Sequence, residues 1–196
     1  EHAAYVAALA AAGVAVEVLE PLEAFPDTVF VEDPALTFPE AAILLRPGAP
    51  SRAGETAALR PELEARFERL LVLARGYADG GDVLVTRREV LIGLSARTDA
   101  DGARNLALLL AELGRPDRVV TPPPGVLHLK TACALLDEET VLATGPVAAA
   151  GLFGKGLRVL TVPAGEDAAA NLIRVNDVVL AAAGHPRTLD LLDAHG

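Results

Sequence analysis

Residues 79–121 read DGGDVLVTRREVLIGLSARTDADGARNLALLLAELGRPDRVVT, and the order of elements in this stretch decides the fold class. Gly80-Gly81 breaks the chain. Asp82–Val85 and Val90–Gly93 then read as the two strands of a hairpin, being short apolar runs joined by charged residues. Asp101–Leu113 reads as a helix stopped at Gly114, and Val119–Thr121 as a third strand. The unit is strand, strand, helix, strand.

The same order recurs on both sides. Upstream, the sequence predicts strands over Thr28–Val31 and Ala41–Leu45, a charged amphipathic helix over Glu55–Leu70 and a strand over Leu71–Leu73. Downstream come strands over Val126–Lys130, Ala132–Leu136, Val141–Ala143 and Leu157–Val162. A further pair over Leu172–Val175 and Val178–Ala182 leads into a helix over Pro186–His195. A helix over His2–Ala12 and a strand over Val14–Leu19 open the chain. No linker interrupts the 196 residues, so residues 1–196 are expected to form one α/β domain of repeated ββαβ modules. The chain opens on a helix and closes on one, with Gly196 at a C-cap position. It lacks methionine altogether. Both features lead us to expect pieces missing from a ring of modules at either end. An open ring would expose strand edges and favour association.

Bulk composition narrows the functional classes. An apolar content of 52% suits a sizeable core, and no run approaches the ~18 apolar residues of a membrane span. The net charge of −10 argues against a nucleic-acid surface, which needs clustered Lys and Arg. The single cysteine, Cys133, rules out an internal disulfide framework and fits a reducing, cytoplasmic setting.

Four polar clusters interrupt the apolar strands. In Phe25–Pro34, Asp27, Glu32 and Asp33 lie beside a hydrophobic run, where a cationic partner such as guanidinium would compensate their lost solvation. An ordinary Asp-capped turn explains them equally well. In Ala78–Val83, two acids flank a glycine pair, which suits either a backbone bent past a ligand or a plain hairpin. Arg97 in Leu94–Thr98 and Arg52 in Ser51–Glu55 are of the type that holds a carboxylate, although most arginines serve only the surface. His128, within Val126–Cys133, sits in an apolar run, where a hydrogen-bonded core histidine is the commoner outcome.

In this order, Phe25–Pro34, Arg46-Pro47-Gly48 with Ser51-Arg52 and Glu55, Asp79–Val83, Ser95–Thr98 and Leu127–Thr131 together resemble the dimethylarginine dimethylaminohydrolases of the amidinotransferase superfamily. The resemblance spans essentially the whole chain. It implies a pentein-like five-bladed α/β propeller of ββαβ modules with the site in its central channel. It also implies roles: His128 as general acid/base and Asp79 as the acidic catalytic member that orients His128 or the guanidinium. Asp33 and Glu32 would bind guanidinium nitrogens, Asp27 the α-amino group, and Arg52 and Arg97 the α-carboxylate.

The implied reaction converts an Nω-methylated arginine to citrulline and an alkylamine through a covalent cysteine thiouronium, with no metal or organic cofactor. The family's nucleophile lies in a Gly-rich segment near the C-terminus, so it is expected beyond Gly196. Cys133 is expected to be structural, and the 196-residue chain by itself to be catalytically silent. The implied partner is a small guanidino amino acid, with no nucleic acid or membrane; a homodimer is open to it. Two alternatives stay open: an arginine deiminase or citrulline-type hydrolase of the same fold, and a non-catalytic propeller-fold binding protein.

Overall fold

The computed structural model describes residues 2–195; the C-cap reading of Gly196 therefore lies outside the described residues. Contacts divide the chain into two compact units, one spanning Pro21–Leu129 and one made of the first twenty residues with Lys130 onward. The sequence offers no linker at either boundary, yet the units are distinct in their contacts.

In chain order, α1 (His2–Ala11) precedes β1 (Ala35–Phe38), β2 (Ala41–Leu44), α2 (Glu55–Glu64) and β3 (Leu70–Val72). The second set is β4 (Val83–Val85), β5 (Val90–Gly93), α3 (Ala100–Glu112) and β6 (Asp117–Val120). The third is β7 (Cys133–Leu135), β8 (Thr140–Ala143), α4 (Gly145–Ala149) and β9 (Arg158–Thr161). The β10 (Ile173–Val175) and β11 (Val178–Leu180) pair then leads to α5 (Pro186–His195).

Each set obeys one rule: the first two strands pair antiparallel, and the third joins the second in parallel after a helix. The expected ββαβ module is thus present three times, and β10–β11–α5 follows the same order as far as its helix. A parallel third strand needs a crossover, and α2, α3 and α4 supply it.

In the Pro21–Leu129 unit, Leu36, Phe38, Ile43 and Leu45 pack with Val83, Val90 and Ile92 over Leu106 and Leu110 of α3. Asp99 starts α3 by accepting the Gly102 N–H at 2.6 Å. In the other unit, Leu136, Leu142, Val162 and Ala170 form the core, with Leu191 and Leu192 of α5 packed against it. Among the described residues no helix is long and apolar enough to cross a membrane.

Four expectations are corrected. Thr28–Val31 is not a strand but a run of turns, closed by Phe25 O accepting from Thr28 N–H, Asp27 O from Phe30 N–H and Phe30 O from Asp33 N–H. Val29, Phe30 and Val31 stay exposed, and the strand forms instead at Ala35–Phe38, a run masked in the sequence by its flanking prolines. Val126–Lys130 is not a strand either: it ends in the 3-10 turn Leu129–Thr131, because the Leu129 N–H is taken by the Asp82 carboxylate. Val14–Leu19 forms no strand, and Val18 in it is largely exposed. Helix α2 stops at Glu64, since Leu70–Val72 is claimed by pairing with β2.

Candidate active site

Of the residues singled out from the sequence, Asp33, Asp79 and His128 converge within the Pro21–Leu129 unit, on connections at the strand ends, where binding groups commonly sit. Asp33 ends the run of turns before β1, Asp79 and Asp82 flank Gly80-Gly81 before β4, and His128 precedes the Leu129–Thr131 turn. The glycine pair permits this approach. A Cβ on Gly80 would fall 1.9 Å from the Glu32 carbonyl oxygen; one on Gly81 would fall 2.9 Å from Asp33 Oδ1 and 3.0 Å from His128 Cγ. With no Cβ in the way, Gly80 N–H donates to Asp33 O at 3.1 Å and Gly81 N–H to Asp33 Oδ1 at 2.8 Å.

Asp79 is buried, 1% exposed. Its Oδ1 accepts the Gly48 N–H at 2.7 Å, and its own N–H donates to Thr98 Oγ1 at 3.1 Å. Among the described residues its Oδ2 has no hydrogen-bond partner; His128 Nε2 stands 3.9 Å away, too far for one. Burial raises the Asp79 pKa above the ordinary carboxylate range, the Gly48 N–H counters in part, and the neighbouring Asp33 raises it further. His128 behaves in the complementary way. Burial alone would lower its pKa, but the hydrogen bond and charge of Asp82, 3.3 Å from Nδ1, raise it above the usual imidazole value.

Polar atoms of Asp33, Asp79 and His128 all lie within 4.8 Å of one another. The spacing could seat a small cation, and two carboxylates beside an imidazole suit a guanidinium equally well, because its planar N–H groups donate bidentately to carboxylates.

Arg52 is 4% exposed, and the structure gives it other partners than a substrate carboxylate. Its Nε lies 3.0 and 2.9 Å from the two Glu55 oxygens, and Nη2 lies 2.6 Å from Glu55 Oε2. Nη1 pairs with Asp33, while Nη2 also donates to the carbonyls of Asp27 and Phe30 at 3.1 and 3.0 Å. The guanidinium therefore clamps the turn run to the buried acids. A substrate carboxylate would have to displace one of these contacts.

Arg97 differs. It is half-buried, and its guanidinium makes no hydrogen bond or ion pair with the described residues. The turn that carries it lies against Gly48, where a Cβ would fall 2.3 Å from the Arg97 carbonyl oxygen. Asp27 is half-buried and contributes its carbonyl to Arg52, whereas Glu32 is exposed. The structure thus gathers Asp33, Asp79, His128 and Arg52. It sets Glu32 at the surface and Arg97 on a neighbouring turn. A separate hollow of about 470 Å³, lined by Asp137, Lys155, Arg158 and His195 among others, belongs to the other unit and shares no residue with this cluster.

Residues 17–159 match the family model described as Arginine deiminase. The N(G),N(G)-dimethylarginine dimethylaminohydrolase of Pseudomonas aeruginosa is 40% identical over 192 residues, covering 96% of this chain and 74% of that protein. The chain belongs to the dimethylarginine dimethylaminohydrolase family. The Streptomyces coelicolor member is 38% identical, covering 96% of this chain and 72% of its own length. A solved structure of the Pseudomonas aeruginosa protein, a cysteine-to-serine variant complexed with citrulline, superposes with a TM-score of 0.94 at 38% identity. It covers 100% of this chain and 76% of its own. The α/β fold of ββαβ modules expected from residues 79–121 is the fold of the dimethylarginine dimethylaminohydrolase family.

The sequence reading assigned no role to two participants, Asp82 and Glu55, and was right to leave Cys133 out. Asp82, 0% exposed, contacts His128 more closely than Asp79 does, and Ser95 and Thr98 hold Asp82 in turn. The signal was visible: Asp79-Gly80-Gly81-Asp82 carries two acids, and the turn between them brings both against one ring. Glu55, 2% exposed, completes the Arg52 clamp. Cys133 is fully buried at the start of β7, and burial pushes its thiol up to about 12 despite the charge of Lys130.

Proposed function

We propose that the chain carries the substrate-binding and acid–base groups of a hydrolase that converts an Nω-methylated arginine to citrulline and an alkylamine. The observation that supports it best is Asp79 Oδ2. This buried acceptor lacks a donor, has a raised proton affinity, and lies beside Asp33 and His128. A bound guanidinium supplies the missing N–H donors and the missing positive charge together.

In this reading Asp79 and Asp33 hold the guanidinium nitrogens, Glu32 flanks them at the surface, and Asp27 faces the α-amino group. Arg97 takes the α-carboxylate, since its guanidinium is uncommitted. Arg52 acts through Asp33 and the turns it clamps. A cysteine thiolate adds to the guanidinium carbon, the C–N bond to the alkylamine breaks, and protonated His128 gives its Nε2 proton to the leaving nitrogen. His128 then takes a proton from water, which attacks the thiouronium carbon. The C–S bond breaks as the added hydroxyl gives its proton to solvent, the thiolate returns, and citrulline leaves.

Cys133 does not serve as that thiolate, because at neutral pH a buried thiol with its pKa near 12 stays protonated. The nucleophile in this reading is a cysteine outside these 196 residues. One buried free thiol also accords with a cytoplasmic location.

The test is calorimetric titration with Nω,Nω-dimethylarginine, arginine and agmatine. Dimethylarginine is expected to bind, and agmatine, which has no carboxylate for Arg97, to bind far more weakly. Equal affinity for agmatine would overturn the assignment of the α-amino-acid end. The family match described as Arginine deiminase favours one second reading, unmethylated arginine as ligand. Tighter binding of arginine than of dimethylarginine would select it.

A further inference from the structure

We propose that Asp82 is the positioning residue of the site: it holds His128 with the proton on Nδ1 and Nε2 turned toward Asp79, and ties the imidazole to the turn that bears Arg97. The inference deepens the proposed function and rests on it for the meaning of His128, but the hydrogen-bond geometry stands independently.

The tautomer follows from counting donors. Ser95 Oγ accepts the Arg97 N–H at 2.9 Å and the Thr98 N–H at 3.2 Å, so its own proton is left for Asp82 Oδ2 at 2.6 Å. Thr98 Oγ1 accepts the Asp79 N–H at 3.1 Å, leaving its proton for the same Oδ2 at 2.8 Å. The Leu129 N–H donates to Asp82 Oδ1 at 3.0 Å. Every neighbour already brings a proton, so the carboxylate is an acceptor throughout. His128 Nδ1, 3.3 Å from Oδ2, must then be a donor as well. In the neutral ring this leaves the lone pair on Nε2, the nitrogen that faces the orphaned oxygen of Asp79. A proton is gained and lost at that nitrogen, while Nδ1–H stays fixed.

The two acids of Asp79-Gly80-Gly81-Asp82 thereby divide the work. Asp82 has both oxygens occupied by protein donors and orients the ring; Asp79 has one oxygen left for the ligand. Ser95 and Thr98 extend the arrangement. Through them the carboxylate that sets the imidazole also fixes the Ser95–Thr98 turn, on which Arg97 stands. One carboxylate keeps the acid–base group and the proposed carboxylate ligand in register.

The experiment is 15N-detected NMR of the His128 ring in the ligand-free protein above its pKa, for wild type, Asp82→Asn and Asp79→Asn. Wild type and Asp79→Asn are expected to show the Nδ1-protonated neutral tautomer. Asp82→Asn should lose that preference and titrate at lower pH, because it removes the strongest of the raising contacts. A wild-type ring protonated at Nε2 would overturn the proposal, and so would a tautomer change in Asp79→Asn with none in Asp82→Asn. Should Asp82→Asn fail to fold, the wild-type spectrum alone still decides. Because no ligand is present, failure of dimethylarginine to bind would count against the proposed function and leave this inference standing.

Discussion

Glu166 in one unit and Asp79, one of four buried acids in the other, are treated in opposite ways. In the unit built around Lys130 onward, Glu166 has Oε1 facing Arg187 N–H and Nε at 3.3 and 3.1 Å, and Oε2 accepting Thr188 N–H and Oγ–H at 2.8 and 2.7 Å. Burial alone would raise its pKa, but these bonds, those from Thr188 foremost, bring it down to about 2. In the Pro21–Leu129 unit, Asp79 has one donor on one oxygen and none on the other, and its pKa is raised. Glu166 is finished by the fold, since it closes the start of α5. Asp79 is left incomplete, and an incomplete buried carboxylate is costly unless a ligand completes it.

The two acids therefore bias stability in opposite senses with pH. Glu166, depressed from 4.5, contributes stability that is present above 4.5 and lost as pH falls toward about 2. Asp79, raised from 3.8, contributes fully only below 3.8 and loses that contribution as pH rises through its folded value. His128, raised from 6.5, acts in the same sense as Asp79: its contribution is present below 6.5 and lost above its folded value.

The largest effect is expected where a completed group inside the site is removed. Arg52→Ala strips the counter-charge from Asp33 and Glu55, both under 9% exposed, and should cost about 3–5 kcal/mol by denaturant unfolding. A loss below about 1 kcal/mol would show that the clamp is not structural, and would return Arg52 to the substrate carboxylate. Arg97→Ala should do the reverse. The melting temperature should hold while affinity for an α-amino-acid guanidine falls on the order of 30-fold, the lower range for a truncated charge partner. Calorimetry with dimethylarginine and agmatine reads this directly, since only the former should weaken.

Glu166→Gln sharpens the other side. It should lower the melting temperature at pH 7, and this difference from wild type should shrink as pH falls below 4.5. Thermal melts across pH 3–7 would check the sign, and dimethylarginine affinity should not change. Cys133 should give the smallest effect. Iodoacetamide should leave it unmodified in the folded protein at pH 8 and label it only on unfolding, because the thiol is buried and stays protonated. Labelling of the native protein would reopen Cys133 as a nucleophile.

The modules were legible because helix and strand periods differ, and the runs Val90–Gly93 and Pro186–His195 coincide with their elements in the structure. What escaped the sequence was decided by tertiary partners. Thr28–Val31 has the composition of a strand, yet Arg52 captures the carbonyls of Asp27 and Phe30 and the segment winds into turns. His128 lies among apolar residues, yet Asp82 draws the Leu129 N–H out of any ladder. Asp33, Asp79 and His128 could be named from their motifs. Asp82 could not be ranked above Asp79 as the partner of His128, because only the turn at Gly80-Gly81 fixes which oxygen meets which nitrogen.

In the proposed function Asp79 is the acid the fold leaves for a ligand. Its most direct test is the affinity for Nω,Nω-dimethylarginine of wild type, Asp79→Asn and Glu166→Gln, measured by calorimetry at one pH. In Asp79→Asn the amide oxygen can still accept the Gly48 N–H, and only the ligand-facing oxygen is replaced by a donor. Affinity is expected to weaken on the order of 100-fold in Asp79→Asn, as for a buried charge pair that loses one member, and to stay unchanged in Glu166→Gln. Equal affinity in wild type and Asp79→Asn, with both folded, would contradict it.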